Sequence, residues 1–360
     1  MDAPPENLSC EIEQIENYLA ILFACYTSQS PGYCAKFIMW DVITQEQVLV
    51  SSLRTGYQHP LTSSVWSQNM NSWNYRSFVF LDHRCILFGA IRNDPNQDVG
   101  RRRQPYLEIV DSTSPARVTY LELDETALRH TSLRSTVDIS VGSGAAHEEA
   151  SPVGSGGMPF VSDTSRGIIT ADVYLHHRDD NNLPRFESYV FVVDIEDMLA
   201  RAPSSSDPGH YTEWDDLRSS TATFSYSTTY QDRYRIFSRH SYVSGFRYAS
   251  PIQPLDPEVP EGRRCFFVYD FNPYREGSDS LPGAAYEAPD FETGYPQSAS
   301  EITREVVGGL SCWRTRFDLP AAEEDIRKCH VVLTNGGVVL FEVRLPCYPL
   351  EWFDSHRCSS

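Results

Sequence analysis

Residues 77–123 read SFVFLDHRCILFGAIRNDPNQDVGRRRQPYLEIVDSTSPARVTYLEL and carry the clearest strand pattern in the chain. The stretch contains four runs rich in Val, Ile, Leu and aromatic residues, at 77–82, 85–91, 105–111 and 117–123. Turn-forming or polar residues separate these runs, which is typical of β-strands joined by turns. Four successive antiparallel strands of this size predict one blade of a β-propeller.

The third run ends in Asp111, and the same ending recurs along the chain. Apolar runs end in Asp41, Asp194 and Asp270 as well, so the four aspartates are 70, 83 and 76 residues apart. Internal repeats of this kind indicate repeated structural units. Because an aspartate side chain accepts backbone N–H groups two residues ahead, the repetition predicts a structural role in turns and not a catalytic carboxylate pair.

Further strand-like runs extend the pattern to five units. They lie at 18–25, 34–41 and 47–53; at 167–176 and 188–195; at 242–249 and 263–271, with 311–319 as a delayed outer strand; and at 329–333 and 338–343 around an Asn-Gly turn. In the run Tyr189–Val193, both alternating sets of positions are apolar, which predicts a strand covered on both faces. Helices are expected only at 195–202 and 321–328.

The predicted fold is therefore all-β, a propeller-like ring of about five to seven four-stranded antiparallel blades spanning residues 15–345. Residues 1–14 and 346–360 are assigned to tails, and segments 143–157, 202–210 and 272–300 are assigned to mobile inserts because they are rich in Gly, Pro, Ser or acidic residues. Ring closure predicts that strands near the N-terminus complete the last blade. Two packed sandwiches remain the alternative.

Charge restricts the expected partners. The 360 residues carry a formal net charge of −19, which disfavours binding to nucleic acid or to an anionic membrane surface. There is no basic leader and no apolar run of about 20 residues, so the chain is expected to be intracellular. Nine cysteines without a C-x-x-C pair fit reduced thiols, and Cys25, Cys85 and Cys265 lie in apolar runs, where we expect buried side chains.

No pattern in the sequence predicts an enzyme, a metal site or a cofactor. The richest cluster of metal-ligating residue types is His176-His177-Arg178-Asp179-Asp180, but neighbouring strand residues point to opposite faces and cannot chelate together. It is interpreted as a polar loop. Trp66, Trp73 and Trp214 lie near inserts and are candidate anchors for a binding partner.

The loops between second and third strands are the predicted binding surface. They span 27–33, 92–104, 177–187 and 250–262, and equivalent loops of successive blades emerge on one rim of a propeller. Long loops on a rigid scaffold commonly carry function. Arg101, Arg102, Arg103, Arg178 and Arg185 lie in these loops and form a local positive patch on an acidic chain, which predicts an acidic protein partner.

The chain resembles the C-terminal regions of fungal F-box proteins. The resemblance lies in the Asp-ended strands, such as Ile38-Met39-Trp40-Asp41-Val42, in the closing hairpin Val331–Leu340 and in the acidic inserts. It implies a non-catalytic domain that recruits substrates for a cullin ubiquitin ligase. No Leu-Pro-x-Glu-Ile-like F-box is recognisable in the N-terminal residues, so the chain is expected to be either part of a longer protein that carries this module or a stand-alone interaction domain. A propeller-fold hydrolase or a glycan-binding protein is the alternative.

Overall fold

The computed structural model describes residues 7–27, 30–54, 73–93, 103–113, 118–123, 136–144, 166–178, 184–203, 209–212, 214–229, 243–254, 264–272, 299–319, 329–334 and 337–342. Most of these residues lie in β-strands, which form four sheets of four or more strands and one two-stranded sheet. The all-β prediction is confirmed at this level.

Sheets 1 and 2 are both built on antiparallel meanders, in which each strand pairs with the next along the chain. Sheet 1 contains β1 (Asn7–Ile15), β2 (Tyr18–Thr27), β3 (Ser30–Asp41) and β4 (Glu46–Arg54). Sheet 2 contains β5 (Trp73–Phe80), β6 (Cys85–Asn93), β7 (Arg103–Asp111) and β8 (Val118–Glu122), with β12 (Gly209–Thr212) added parallel to β8. The four strands predicted within 77–123 are all present.

Sheet 3 has the same strand order, with one long excursion between its last two strands. It contains β9 (Thr136–Ser143), β10 (Ile168–Arg178), β11 (Pro184–Asp194) and β13 (Thr221–Thr229). The excursion consists of helix α1 (Ile195–Ala200), strand β12 in sheet 2 and helix α2 (Trp214–Arg218). These two helices, the only ones in the described residues, are six and five residues long, too short to cross a membrane.

Sheet 4 departs from the simple meander, and sheet 5 is a single hairpin. Sheet 4 contains β14 (Val243–Ser244), β15 (Arg247–Ala249), β16 (Gln253–Pro254), β17 (Arg264–Asp270), β19 (Leu310–Leu319) and, at its edge, β18 (Ala299–Val307). Sheet 5 contains β20 (Cys329–Thr334) and β21 (Gly337–Glu342), as the Asn-Gly turn predicts.

Several sequence predictions need correction. Residues 7–14, assigned to a tail, form most of β1, which pairs with β2 along its whole length and does not complete the last blade. The run 242–249 is a hairpin and not one strand, because Gly245 adopts φ 58° and turns the chain. The outer strand of sheet 4 is β18, part of which falls in the predicted insert 272–300, and 311–319 instead lies beside β17.

One predicted helix is confirmed, one predicted insert contains part of a strand, and two predicted segments lie outside the described residues. The predicted helix 195–202 is α1, with Asp194 as its N-cap. The predicted insert 202–210 contains the start of β12, whereas 145–157 and the predicted helix 321–328 lie outside the described residues.

The five sheets pack face to face in chain order. One apolar cluster fills the space between sheets 1 and 2, a second that between sheets 2 and 3, a third that between sheets 3 and 4, and a fourth that between sheets 4 and 5. Along β11, Phe191 and Val193 join the second cluster, whereas Val190 and Val192 join the third. The strand predicted to be covered on both faces is therefore confirmed.

The first strands of neighbouring sheets lie against one another. Contacts join β1 to β5, β5 to β9, β9 to β14, and β14 to β20. Ser77 on β5 both donates its hydroxyl to the carbonyl oxygen of Val141 and accepts the backbone N–H of that residue on β9. Gly89 on β6 leaves room for this approach, since a Cβ there would lie 3.3 Å from the side chains of Ile139 and Val141. The sheets therefore meet along their first strands.

Candidate functional site

The predicted basic patch is centred on two hairpin ends. Arg103 begins β7 and pairs in register with Asn93, at the end of the β6–β7 hairpin. Arg178 ends β10 and pairs with Pro184, while Arg185 pairs with His177, at the end of the β10–β11 hairpin. Arg101 and Arg102 lie outside the described residues. The three described arginines thus lie at the ends of equivalent hairpins in neighbouring sheets.

The predicted loops are shorter than the sequence indicates, because the strands continue further. The described strands leave 28–29, 94–102, 179–183 and 255–263 as the connections. His176 and His177 accordingly lie in β10 and not in a polar loop, and as consecutive strand residues they alternate between the two faces of the sheet. The residues that the structure describes contain no cluster of three or more metal-ligating side chains.

The opposite end of each sheet carries the repeated aspartates. Each aspartate side chain accepts a backbone N–H from a residue two or three positions ahead, with N···O distances between 2.7 and 3.1 Å. The donors are Ile43 and Thr44 for Asp41, Thr113 for Asp111, Glu196 for Asp194 and Asn272 for Asp270. Each aspartate ends the third strand of its sheet in spatial order, namely β3, β7, β11 or β17. The predicted structural role is confirmed at all four positions.

Equivalent ends of sheets 3 and 4 are also joined directly. The N–H of Gly144 donates to the carbonyl of Ile168, the N–H of Ile168 to the carbonyl of Gly245, and the N–H of Gly245 to the carbonyl of Gly144, at 2.6 to 3.0 Å. Ile168 pairs with Asp194, and Gly245 lies in the turn next to the pairing of Arg247 with Asp270. The aspartate ends of these two sheets therefore lie side by side.

One aspartate carries an ion pair. Asp111 has no exposed side-chain surface, and its Oδ2 accepts from Nη2 of Arg84 at 2.6 Å and from Nε at 3.1 Å. Burial raises the pKa of this carboxyl, but the hydrogen bonds from Arg84 and Thr113 outweigh that effect and bring the pKa to about 2. The pair fixes the 81–84 turn against the end of β7.

A buried acid lies between sheets 1 and 2. The Tyr75 hydroxyl donates to Glu108 Oε2 at 2.6 Å, and both side chains are about 1% exposed. Burial raises the pKa of Glu108 to about 7, against the lowering effect of this hydrogen bond. Burial and the nearby Glu108 carboxyl raise the pKa of Tyr120, the cross-strand neighbour of Glu108, to about 12.

A second acid with a raised pKa lies on the first strand. Burial and the negative charge of Glu11 raise the pKa of Glu13 to about 7. Glu11 itself accepts the backbone N–H of Phe78 at 3.1 Å across the gap between β1 and β5. These acids were not singled out from the sequence, although Glu108 interrupts an otherwise apolar strand and that interruption is a usable signal.

The buried thiols fit a packing role. Cys85 and Cys265 are buried as predicted, and Cys312 is buried with them, whereas Cys10 is exposed. Burial raises the pKa of Cys85 to about 12, with the charges of Asp82 and Asp111 adding to the effect, so this thiol is not activated as a nucleophile. Trp66 lies outside the described residues, Trp73 begins β5 and Trp214 begins α2.

Comparison of the chain with models of protein families, with curated proteins and with solved structures finds no match.

Proposed function

We propose that this chain is a propeller-like, non-catalytic protein-interaction domain that recruits an acidic protein partner through the hairpin ends of its sheets. The propeller arrangement is supported by three observations: sheets packed in chain order, first strands in contact with one another, and an aspartate turn at the same place in four sheets. A fan of sheets joined along their first strands is the geometry of propeller blades.

The placement of the arginines carries the proposed partner chemistry. Arg103 lies at the end of one hairpin, and Arg178 and Arg185 lie at the end of the equivalent hairpin in the adjacent sheet. The chain as a whole has a net charge of −19, so a cluster of positive charge at one place selects acidic partners and steers their approach. Arginine also offers paired hydrogen bonds to carboxylates.

The resemblance to fungal F-box proteins gives this role a cellular setting. In that setting the domain recruits a substrate to a cullin ubiquitin ligase, with the F-box supplied by another module. Affinity purification from native cells, followed by mass spectrometry, tests it directly. Recovery of a Skp adaptor and a cullin supports the ligase setting, and recovery of acidic proteins without them leaves only the general interaction role.

The buried acids do not favour the hydrolase or glycan-binding alternative. Burial raises the pKa of Glu108 to about 7, but this side chain is 1% exposed and is hydrogen-bonded to Tyr75 within an apolar cluster. A catalytic acid must reach its substrate. Glu108 therefore fits a structural pair better than an active-site carboxyl.

Charge reversal tests the binding surface. Arg101, Arg102 and Arg103 are replaced by Glu in one variant, and Arg178 and Arg185 in a second. The matched control replaces Arg218 and Arg304, exposed residues on α2 and β18, by Glu. Both rim variants are expected to lose the partner in a pull-down while the control keeps it, and raised salt is expected to weaken binding by the parent protein. Retention of all partners by well-folded rim variants would refute the proposed surface.

A further inference from the structure

Two cysteines of the β2–β3 hairpin occupy directly opposite positions on neighbouring strands. Cys25 on β2 is the register partner of Cys34 on β3. No other strand pairing in the described residues places two cysteines opposite each other. The hairpin register creates this juxtaposition, and the spacing of the two cysteines in the sequence does not reveal it.

The hydrogen-bond pattern of the hairpin fixes the backbone separation at this pair. The N–H of Val42 donates to the carbonyl oxygen of Asn17 at 2.7 Å, just beyond the first register pair of β2 and β3. Hydrogen-bonded and non-hydrogen-bonded positions alternate along an antiparallel pair. Cys25 is an even number of positions from Asn17 with no register shift between them, so Cys25 and Cys34 occupy a hydrogen-bonded position. The Cα atoms at such positions lie about 5.5 Å apart, and those of disulfides are most often about 5.5–6 Å apart.

Both cysteines lie on the face of sheet 1 that is opposite to sheet 2. Leu22 and Phe37 belong to the apolar cluster between the two sheets. Cys25 and Cys34 are each three positions away from one of these residues, so the alternation of a strand places them on the opposite face. Ile12, which lies on that face of β1, is 60% exposed, so solvent and small oxidants reach this side of the sheet.

We infer that Cys25 and Cys34 form a reversible disulfide that closes the β2–β3 hairpin when a low-molecular-weight disulfide oxidises them. The thiolate of one cysteine attacks a sulfur of the small disulfide and releases one small thiol. The thiolate of the other cysteine then attacks the mixed disulfide and releases the second small thiol. The two protein thiols thus lose two protons and two electrons, and the small disulfide takes them up to become two thiols.

The disulfide lies at the hairpin end of sheet 1. The connection 28–29 lies between the two cysteines, within the predicted loop 27–33. A disulfide removes conformational freedom from the opened chain between its cysteines. Oxidation is therefore expected to slow the hydrogen exchange of the backbone amides between Cys25 and Cys34. This effect is a property of the hairpin and does not depend on the proposed partner.

A redox titration of the full-length protein tests the inference. The protein is equilibrated with reduced and oxidised glutathione at several ratios, the remaining thiols are blocked with N-ethylmaleimide, and the chain is cleaved with chymotrypsin. Phe23 and Tyr26 separate the three cysteines of sheet 1, so cleavage after these aromatic residues places each cysteine on its own peptide. Mass spectrometry is expected to find the Cys25 and Cys34 peptides linked in oxidising mixtures and separate after addition of a reductant.

A register-shifted variant is the matched control. Cys34→Ser combined with Lys36→Cys moves the thiol two positions along β3, where it lies opposite Phe23 and diagonal to Cys25. Diagonal neighbours are about 7–8 Å apart, at or beyond the limit for a disulfide without backbone movement. The equilibrium constant of this variant with glutathione is therefore expected to be at least about tenfold smaller than that of the parent protein.

Two further measurements complete the test. Cys10→Ser should leave the link between Cys25 and Cys34 unchanged, because Cys10 is the register partner of Phe23 and not of either cysteine. Hydrogen exchange between the two cysteines should be slower in the linked protein than in the reduced protein. Blocked thiols at both positions in every mixture, a link that requires Cys10, equal linking in the register-shifted variant or unchanged hydrogen exchange in the linked protein would each overturn the inference.

Discussion

Glu108 provides the sharpest test of the packing between sheets 1 and 2. Its carboxyl is enclosed by an apolar cluster that includes Phe88 and Val110, and it accepts one hydrogen bond from Tyr75. Glu108→Gln keeps the size of the side chain and an oxygen acceptor for Tyr75, but it removes the charge that appears when the carboxyl ionises. The substitution therefore isolates the cost of burying that charge.

The size and sign of the effect follow from the raised pKa. The pKa of Glu108 is about 7 in the folded protein, against 4.5 for the unperturbed group. A raised carboxyl pKa makes the folded state hold its proton more tightly, so the free energy of unfolding falls as the pH rises from about 4.5 to about 7 and levels off above that. At ~1.4 kcal/mol per pKa unit, the full cost is about 3 kcal/mol.

Urea unfolding at pH 5 and pH 8 measures this cost. We expect Glu108→Gln to be more stable than the parent protein by about 3 kcal/mol at pH 8 and by less than about 1 kcal/mol at pH 5. Glu46→Gln, on the exposed end of β4, is the control and should show no such gain. If Glu108→Gln gains nothing at pH 8 relative to pH 5, the carboxyl is not buried between these sheets.

Three further predictions test the core, an aspartate turn and a glycine contact. Val192→Asp places a carboxylate at a position with no exposed surface, which costs several kcal/mol out of a total folding stability of about 5–15 kcal/mol. The variant should therefore unfold. A soluble variant with unchanged Tm would contradict the placement of Val192 in a strand that is covered on both faces. Asp111→Ala should lower the free energy of unfolding by about 2 kcal/mol near neutral pH. Because the lowered pKa of Asp111 reflects stabilisation of its ionised form alone, this difference should shrink as the pH falls through about 2. An equal loss at all pH values would argue against the ion pair with Arg84. Gly308→Ala should lower the Tm more than Gly245→Ala does. Both glycines have φ near 60°, but a Cβ at Gly308 would meet the backbone of Thr221, whereas one at Gly245 would meet nothing. Equal losses of Tm would show that strand β18 is placed wrongly.

Strands in the middle of sheets could be predicted from the sequence, and several edge strands could not. The middle strands β6, β7, β10 and β11 are covered on both faces and therefore are rich in apolar residues at both alternating sets of positions. The missed strands β1, β9, β12, β13 and β18 all lie at sheet edges. Edge strands commonly carry charged residues, as β1 and β18 do, which discourages pairing with other molecules but also hides their strand pattern. β12 pairs with the distant β8, whereas β1 and β18 each pair with the next strand along the chain.

The candidate site was predictable only in part, for a similar reason. The aspartate turns are local, because each side chain binds a backbone N–H two or three residues ahead, and the sequence alone is enough to find them. The Glu108–Tyr75 pair joins residues 33 positions apart on strands that are not adjacent in the sheet, so no local pattern indicates the partner. A glutamate within an apolar strand predicts only that some partner exists.

The proposed binding surface lies at the hairpin ends, away from the aspartate turns of the same sheets. At the aspartate ends of β3, β7, β11 and β17, the aspartate side chains bind the backbone of their own turns, and their hydrogen-bonding capacity there serves the fold. The hairpin ends carry Arg103, Arg178 and Arg185. Asp179 and Asp180 follow Arg178 directly in the sequence, so the proposed surface carries charges of both signs. Under the proposed function, an acidic partner competes with these neighbouring carboxylates for the arginines, and charge reversal at the arginines tests recognition separately from folding.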